Sequence, residues 1–335
     1  MNTKKLQNFI TENAIYIVLA VLVIGIAVYD PSFIGLNTLR DILIQSSTRV
    51  IIALGVAFIL ITGGTDLSAG RMVGLTAVIS ASMLQVENYP RRFFPDLPHL
   101  PLLVPILIAI IVGLFFGLVN GVIVSKFKVP PFIATLGTMV AIYGINSLYF
   151  DMEPNQSQPI GGLRDDFTTL GSGSIGSGSY SLPYIVIIAI MVCGIVWVMF
   201  NKTRLGKNMY AIGGNEQAAK VSGINVTKYL IMIYSIAGAL YGLAGVLEAA
   251  RTGGATNNYG NMYELDAIAA CVVGGVSTTG GIGTVPGVMA GVLIFTVINY
   301  GLTFVGVGPY WQQIIKGAII VAAVAFDMRK YASKK

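Results

Sequence analysis

The chain of 335 residues is 55% hydrophobic and only 11% charged, with a net charge of +6 and a mean hydropathy of +0.76. A soluble domain carries about 25% charged residues, so this composition excludes an ordinary water-soluble protein. The positive charge does not indicate nucleic-acid binding, because the Lys and Arg residues are spread over short loops between apolar runs.

About ten apolar segments are candidate membrane spans. They are residues 13–29, 42–62, 70–86, 102–125, 131–150, 182–200, 228–250, 264–277, 283–305 and 311–328. We predict helices, because in hydrocarbon each segment must satisfy its own backbone hydrogen bonds. The first segment lacks a cleavage pattern and is interpreted as an uncleaved span, whereas 264–277 is short and suggests a broken or tilted helix. The predicted fold is an all-α polytopic membrane bundle that forms a single domain over residues 1–335.

The distribution of positive charge predicts that both termini are cytoplasmic, because Lys and Arg accumulate in cytoplasmic loops. With this orientation the cytoplasmic loops and tails hold Lys4, Lys5, Arg71, Lys126, Lys128, Lys202, Arg204, Lys207, Lys220, Lys228, Arg329, Lys330, Lys334 and Lys335. The outer loops hold fewer, namely Arg40, Arg91, Arg92, Arg164 and Arg251. Loop 151–181 is then periplasmic, and its Gly/Ser-rich sequence is typical of a flexible tether. Loop 201–227 is the longest cytoplasmic segment.

Glycine patterns give two further predictions. The turns GGTDLSAG (63–70) and GGVSTTGG (274–281) each follow an apolar run on the cytoplasmic side. This similarity suggests that spans 1–4 and 7–10 are parallel copies, as in many transporters. Glycines at four-residue spacing, at 113, 117 and 121 and again at 283, 287 and 291, predict closely packed helices.

The cytoplasmic segment 206–226, GKNMYAIGGNEQAAKVSGINV, predicts a short surface helix. Asn215 is a favourable N-cap and Glu216 suits the first turn. Gly223 is a natural helix stop. Taken alone, this pattern also fits an ordinary amphipathic connector between two spans.

The same segment resembles the EAA–xxx–G loop of bacterial ABC importer permeases. The match is Gln217-Ala218-Ala219 followed by Gly223, with Gln217 in place of the first Glu and Glu216 one residue earlier. In that family the loop forms a coupling helix that docks on the ATPase subunit. The resemblance therefore implies an ATPase-coupling helix made by Asn215, Glu216, Gln217, Ala218, Ala219 and Gly223.

Over nearly the whole chain the sequence resembles the ribose/xylose/galactose permease family. The matching stretches are GGTDLSAGRMVGL (63–75), PPFIATLGTM (130–139), NKTRLGKNMYAIGGN (201–215) and YELDAIAACVVGGVS (263–277). Within that family, TDLSAGR, GATNN (254–258) and TVINYGLT (296–303) look most like the galactose/methyl-galactoside permeases. The resemblance implies the permease subunit of an ATP-driven importer in the bacterial inner membrane. It would carry galactose or methyl-galactoside by alternating access, with ribose or xylose as alternative substrates.

The resemblance also implies three protein partners: a second permease copy, an ATPase with two nucleotide-binding domains and a periplasmic sugar-binding protein. The sequence agrees with this division, because it contains no GxxxxGK[ST] motif, and Gly206-Lys207 lacks both the upstream Gly and the Ser/Thr. We expect no catalytic residues, cofactor or metal in this chain, with ATP and Mg²⁺ on the partner ATPase.

Polar and charged residues in or near the spans are candidates for a translocation path or gate. Because charge in hydrocarbon is costly, Arg49, Glu248, Asp266 and Lys316 form either a gating set or a structural pair, such as Arg49 with Glu248 or Asp266. Sugars bind through hydroxyl groups and aromatic faces, which adds Asn120, Tyr143, Asn146, Tyr241, Asn257, Asn258, Asn299 and Tyr300. Each of these residues could instead join helices or anchor the membrane interface.

Two other classes of protein share some of these features. An ion-coupled secondary transporter would explain the spans, the repeat and the buried charges, but the coupling-loop pattern argues against it. An intramembrane enzyme needs a catalytic set within the spans. The only histidine, His99, lies in a loop and the sequence offers no such set.

Overall fold

The computed structural model describes residues 14–176, 178 and 181–332, and these residues are mostly helical. The helices, numbered in chain order, are α1 (Ala14–Tyr29), α2 (Leu36–Ile61), α3 (Ala69–Met83), α4 (Leu103–Ser125), α5 (Pro131–Phe150), α6 (Asp165–Ser172), α7 (Tyr184–Lys202), α8 (Arg204–Gly214), α9 (Glu216–Val221), α10 (Val226–Thr252), α11 (Tyr263–Val273), α12 (Val285–Phe304) and α13 (Pro309–Ala332). A 3₁₀ helix (Pro31–Ile34) precedes α2, and two short strands, β1 (Ser174–Ile175) and β2 (Leu182–Pro183), pair antiparallel.

Among the described residues, six helices are long and apolar enough to cross a membrane: α2, α4, α5, α7, α10 and α12. Helix α3 and the Leu19–Tyr29 part of α1 are shorter apolar helices. The predicted polytopic helical membrane protein is therefore confirmed, while the number of ten spans and the cytoplasmic termini stay predictions. The short segment 264–277 contains only α11, which ends before a turn at Gly274.

Helices α2 and α10 form the centre of the bundle. Every residue of α2 from Val50 to Ile61 is buried, and the cluster around it includes the aromatic side chains Phe58, Phe200, Tyr234 and Tyr241. By contrast, α4 and α5 expose large apolar side chains over much of their length. Such exposed apolar faces on a membrane protein are surfaces for lipid or for another subunit.

The two predicted glycine ridges are confirmed as helix contacts. A Cβ atom added at Gly113 would lie 2.3 Å from the carbonyl oxygen of Gly238, so α4 and α10 touch through their backbones. A Cβ atom at Gly291 would lie 1.9 Å from the carbonyl oxygen of Ala270, which brings α12 equally close to α11. In a membrane such close approach allows the packing and weak contacts that hold helices together.

The Gly/Ser-rich sequence of loop 151–181 predicts a flexible tether, and this is wrong for the larger part of the loop. Ile160 and Ala255 form a β-bridge, and Phe167 of α6 is completely buried. A Cβ atom at Gly171 would lie 2.2 Å from the backbone nitrogen of Arg251, so α6 lies directly on the end of α10. The Gly/Ser content indicates flexibility, but the same loop carries the apolar residues Ile160, Leu163 and Phe167. Their side chains pack onto the bundle and fix this part of the loop.

The segment 253–262, between α10 and α11, is not helical. Gly253, Gly260 and Met262 have positive φ angles of 70°, 74° and 63°. A Cβ atom at Gly260 would lie 1.9 Å from the carbonyl oxygen of Gly70, so the segment turns back from the C-terminal end of α10 and rests on α3. Irregular backbone at membrane depth is tolerated where it is enclosed by protein or lines a cavity.

Two charged residues lie elsewhere than predicted. Helix α2 begins at Leu36 rather than at residue 42, so Arg40 is part of a helix and not of an outer loop. The first turns of α2 contain polar residues and can extend beyond the hydrocarbon. An apolar run therefore does not mark the true start of this helix. We predict Arg71 in the cytoplasmic loops, but it lies in the first turn of α3, partly buried and 4.3 Å from the centre of the Tyr143 ring.

Candidate functional site

The predicted surface helix is α9, and its local signals are confirmed. The side chain of Asn215 accepts a hydrogen bond of 2.9 Å from the backbone N–H of Ala218, which is the expected N-cap. Gly223 follows the helix with a φ of 83°, a conformation that favours glycine. Glu216 and Lys220 form an ion pair one turn apart on its surface.

Helix α9 is attached to the protein by a small apolar contact. Ala219 is 4% exposed and packs with Ile212, Val226 and Leu230. The opposite face is open, with Gln217 and Ala218 exposed and Val221 90% exposed. A short, capped helix that presents an apolar side chain to solvent has the form of a docking element.

Helix α8 carries α9, and the sequence analysis did not identify it. Its buried residues Leu205, Met209 and Ile212 are spaced four and three residues apart, which is the helical period. Thr203 caps the helix by accepting a hydrogen bond of 3.3 Å from the N–H of Gly206. This spacing was the available signal, but it is masked by the three glycines and the charges in the same stretch.

The end of α8 meets both glycine-rich turns. The N–H of Gly281 donates a hydrogen bond of 2.8 Å to the carbonyl oxygen of Ile61. A Cβ atom at Gly213 would lie 1.7 Å from that same oxygen, and one at Gly280 would lie 2.9 Å from the nitrogen of Gly63. We name these five residues, Ile61, Gly63, Gly213, Gly280 and Gly281, the glycine joint. It brings the loop that carries α9 into backbone contact with the end of α2 and the turn before α12.

Tyr210 strengthens this contact. Its hydroxyl donates a hydrogen bond of 2.7 Å to the carbonyl oxygen of Gly283. Burial raises the pKa of Tyr210, so the hydroxyl keeps the proton that it donates. The relation of the two glycine-rich turns as copies of one repeat stays a prediction, although they lie side by side.

The predicted pair of Arg49 with Asp266 is present. Nη1 of Arg49 and Nζ of Lys316 each donate a 3.0 Å hydrogen bond to Oδ2 of Asp266. One carboxylate therefore joins α2, α11 and α13. The guanidinium of Arg49 also lies 5.1 Å from the centre of the Tyr263 ring, a cation–π distance.

Glu248 is paired with Arg251 and not with Arg49. It accepts hydrogen bonds of 2.6 Å from Arg251, 2.9 Å from the Thr48 hydroxyl and 3.0 Å from the Tyr263 hydroxyl. Glu248 is only 3% exposed, and these donors offset the cost of burying its charge. Tyr263 thus links Glu248 to the neighbouring ion pairs. We name Arg49, Glu248, Arg251, Asp266 and Lys316 the outer charge cluster, after the side on which the predicted orientation places it.

Asn299 and Tyr300 lie beside this cluster on α12. Asn299 borders a small cleft with Arg49 and Asp266, and the hydroxyl of Tyr300 donates a 3.1 Å hydrogen bond to Asp41 of α2. Tyr300 therefore joins α12 to α2, whereas Asn299 borders the cleft without a side-chain hydrogen bond from its amide oxygen among the described residues.

Two candidate path residues are enclosed by helix packing. Tyr241 is fully buried, and its ring fills the space beside Gly55. Asn120 is also fully buried, where it donates a 2.9 Å hydrogen bond to the hydroxyl of Ser68 and accepts one of 2.7 Å from Thr138. Ser68 in turn donates to Asp66, a buried carboxylate that the sequence analysis did not single out.

The other candidates gather where α3, α5 and segment 253–262 meet. Asn146 donates a 3.2 Å hydrogen bond to the carbonyl oxygen of Asn257, and Asn257 donates one of 3.4 Å to Ser147. Tyr143 lies one turn away with its ring 4.3 Å from the guanidinium of Arg71. Asn258 is exposed on the same segment.

Arg71 and Asn261 complete this group, and sequence reasoning missed both as site residues. Nη2 of Arg71 donates a 2.7 Å hydrogen bond to Oδ1 of Asn261. The two residues are far apart along the chain, so no local pattern could have joined them. A positive charge in the first turn of an apolar helix was the signal for Arg71.

Comparisons with known proteins identify related chains. The family described as "Branched-chain amino acid transport system / permease component" matches residues 38–324. The chain is 55% identical over 335 residues to the galactose/methyl galactoside import permease protein of Escherichia coli, which covers 100% of this chain and 99% of that relative. The corresponding protein of Haemophilus influenzae is 56% identical with the same coverage. The ribose import permease protein of Bacillus subtilis is 40% identical over 315 residues, or 94% of this chain and 92% of that relative. No solved structure matches the chain.

Proposed function

The chain belongs to this family of permease components, and we propose that it is the membrane-spanning subunit of an ATP-driven importer for galactose or methyl galactoside. One observation carries the choice of substrate: identity is 55% over the whole chain to a galactose/methyl galactoside permease and 40% to a ribose permease. Although the family description names amino acids, these full-length relatives are sugar permeases. The protein is expected to act in the bacterial inner membrane.

The proposed topology has ten spans with both termini in the cytoplasm. It is supported by the six long apolar helices and by the positively charged residues near α8 and α9. It places α9 and the glycine joint on the cytoplasmic side. The outer charge cluster and segment 253–262 then lie toward the periplasmic side or within the membrane.

The proposed protein partners are an ATPase with two nucleotide-binding domains and a periplasmic sugar-binding protein. The open face of α9, with Gln217, Ala218 and Val221, supports docking of the ATPase. A second copy of this chain is proposed as well, and the exposed apolar face of α5 is one surface that could receive it. ATP and Mg²⁺ are assigned to the ATPase, and no cofactor or nucleic acid is proposed for this chain.

The contacts suggest how ATP hydrolysis could move the membrane helices. A force on α9 passes to α8, and through the glycine joint to the cytoplasmic end of α2. Helix α2 has 26 residues, and at 1.5 Å per residue it extends over about 40 Å. Because Arg49 lies on α2, a shift of this helix strains the bonds of Arg49 to Asp266 in the outer charge cluster. Opening of the translocation path at one side of the membrane would thereby be coupled to its closing at the other side, as alternating access requires.

Reconstitution in proteoliposomes tests the proposal. The chain is combined with its ATPase and its binding protein, and uptake of radiolabelled galactose is measured with and without ATP. We expect ATP-dependent uptake that unlabelled methyl galactoside competes away more strongly than ribose or xylose does. Stronger competition by ribose or xylose would change the assigned sugar. ATP-independent uptake by the chain alone, driven by an ion gradient, would replace the importer with a secondary transporter.

A pull-down tests the coupling helix separately. The wild-type chain is expected to recover the ATPase from solubilised membranes. A variant with Ala219→Arg and Gly223→Asp should fail, because Arg cannot fit the buried position of Ala219 and Asp is strained at a φ of 83°. Equal recovery by both chains would remove α9 as the docking element.

A further inference from the structure

Three buried polar atoms belong to side chains that lie on or against the first turns of α3, and they have no hydrogen-bond partner among the described residues. They are Nη1 of Arg71, Oδ1 of Asn146 and Oε2 of Glu264. Asn146 is 1% exposed and Glu264 is 7% exposed. A buried polar group without a partner costs about 1–3 kcal/mol, so three of them at one place indicate a site that a ligand completes.

The glycines of α3 bring these atoms together. A Cβ atom at Gly70 would lie 2.1 Å from Oε2 of Glu264, and one at Gly74 would lie 3.6 Å from Nδ2 of Asn146. Gly70 and Gly74 are one helical turn apart, and Arg71 lies between them. The three side chains therefore share one face of α3, together with Tyr143, whose ring is 40% exposed.

This group lies near the middle of the bundle. Gly245 of α10 contacts Val73 and Thr76, and both helices continue in the same direction, since Ala77–Ala81 cluster with Val246–Ala250. Gly245 is seven residues from the outer end of α10, and Gly70 lies a further turn or more inward. At 1.5 Å per residue, the group is about 15–20 Å below that end, close to half of a 30 Å hydrocarbon core.

We propose that Arg71, Asn146 and Glu264 form a contact site for the hydroxyl groups of a monosaccharide midway across the membrane. A sugar hydroxyl both donates and accepts hydrogen bonds, so one ligand can donate to the oxygens of Asn146 and Glu264 and accept from Nη1 of Arg71. The exposed ring of Tyr143 offers an apolar face beside them. The proposal rests on the proposed import function and assigns it a place within the chain.

Uptake per ATP hydrolysed in the complete importer tests the site. The variants are Glu264→Gln and Asn146→Leu, reconstituted with the ATPase and the galactose-loaded binding protein. Asn146→Leu loses a hydrogen bond to the sugar, and Glu264→Gln replaces a hydrogen bond to a carboxylate by a weaker one to a neutral amide. We therefore expect galactose uptake per ATP to fall about fivefold to tenfold. Stimulation of ATP hydrolysis by the loaded binding protein should stay within twofold of wild type, since the site is distant from α9.

Thr296→Val is the matched control, because Oγ1 of Thr296 is also a buried atom with no partner among the described residues, but it belongs to α12. This variant should retain wild-type uptake per ATP. Unchanged uptake per ATP in both Glu264→Gln and Asn146→Leu would overturn the site. The same loss in Thr296→Val would also overturn it, by showing a general effect of altering buried polar atoms. Absence of ATP-dependent uptake by the wild-type importer would instead refute the import function, which keeps the two failures apart.

Discussion

The glycine joint and the outer charge cluster both hold α2 to its neighbours, but by different physical means. The joint is backbone packed on backbone, with a hydrogen bond of 2.8 Å from Gly281 to Ile61 and no space for a Cβ atom at Gly213. The cluster uses long side chains, with Arg49 and Lys316 sharing the carboxylate of Asp266. Close backbone contacts cannot slide without separating, whereas ion pairs can break and form again. The joint is therefore suited to transmit movement and the cluster to permit it.

The largest effect is expected from Gly213→Ala in the glycine joint. The added Cβ would lie 1.7 Å from the carbonyl oxygen of Ile61, so α8 must move away from α2. We expect a loss of about 3 kcal/mol in stability and loss of ATP-driven galactose uptake, measured by thermal unfolding in detergent and by proteoliposome assay. Gly214→Ala is the control, because nothing lies within 4 Å of its Cβ position. Equal behaviour of the two variants would show that the joint is not tightly packed.

Asp266→Asn tests the charge cluster. It leaves Arg49 and Lys316 without the carboxylate that both contact, while these side chains remain 28% and 24% exposed. Removing one partner from a fully buried pair costs about 3–5 kcal/mol. Because water reaches this cluster, we expect about 1–3 kcal/mol, with partial recovery when Lys316→Met is added. Thermal unfolding of both variants measures this, and an unchanged melting temperature in Asp266→Asn would mean that the cluster does not hold the helices together.

Glu248→Gln should have a smaller effect. Gln keeps an oxygen that can accept from Nη2 of Arg251 and from Tyr263, and its amide can donate to the Thr48 hydroxyl. The charge and the hydrogen bond from Nε of Arg251 are lost. We expect a decrease of about 1–2 kcal/mol in stability and a moderate reduction in uptake. If assembly and transport both match the wild type, the charge of Glu248 has no role.

The smallest effect is expected from Glu216→Gln on α9. Its ion pair with Lys220 is on the surface and spans one helical turn. Such pairs contribute about 0.3–0.5 kcal/mol, so the melting temperature should not change measurably. A clear loss of ATPase recovery in a pull-down, at unchanged stability, would instead show that Glu216 contacts the partner directly. Without such a loss, the comparison is sharpened: the partly buried ion pairs of the outer charge cluster stabilise the protein, and the exposed pair on α9 does not.

Prediction from the sequence succeeded where the signal was local. Apolar runs of sufficient length predicted the six long apolar helices, and glycine spacing predicted close packing of α4 and α12, although not the helices they pack against. Asn215 and Gly223 marked the ends of α9. It failed for Arg71, which was assigned to a loop, and for segment 151–181, which was interpreted as a tether. In both places the outcome depends on residues far along the chain.

By itself the sequence determined the class of the protein, its long apolar helices, the surface helix α9 and the pairing of Arg49 with Asp266 as one of two options. These follow from hydrophobicity, helix capping and the cost of buried charge, which act within a segment or between few candidates. Only the tertiary structure decided that Asp266 and not Glu248 pairs with Arg49, that Gly213 closes onto Ile61, and that Arg71 meets Asn261. Those contacts arise from the way whole helices pack, and helices pack according to the shape of both surfaces, which no single segment contains.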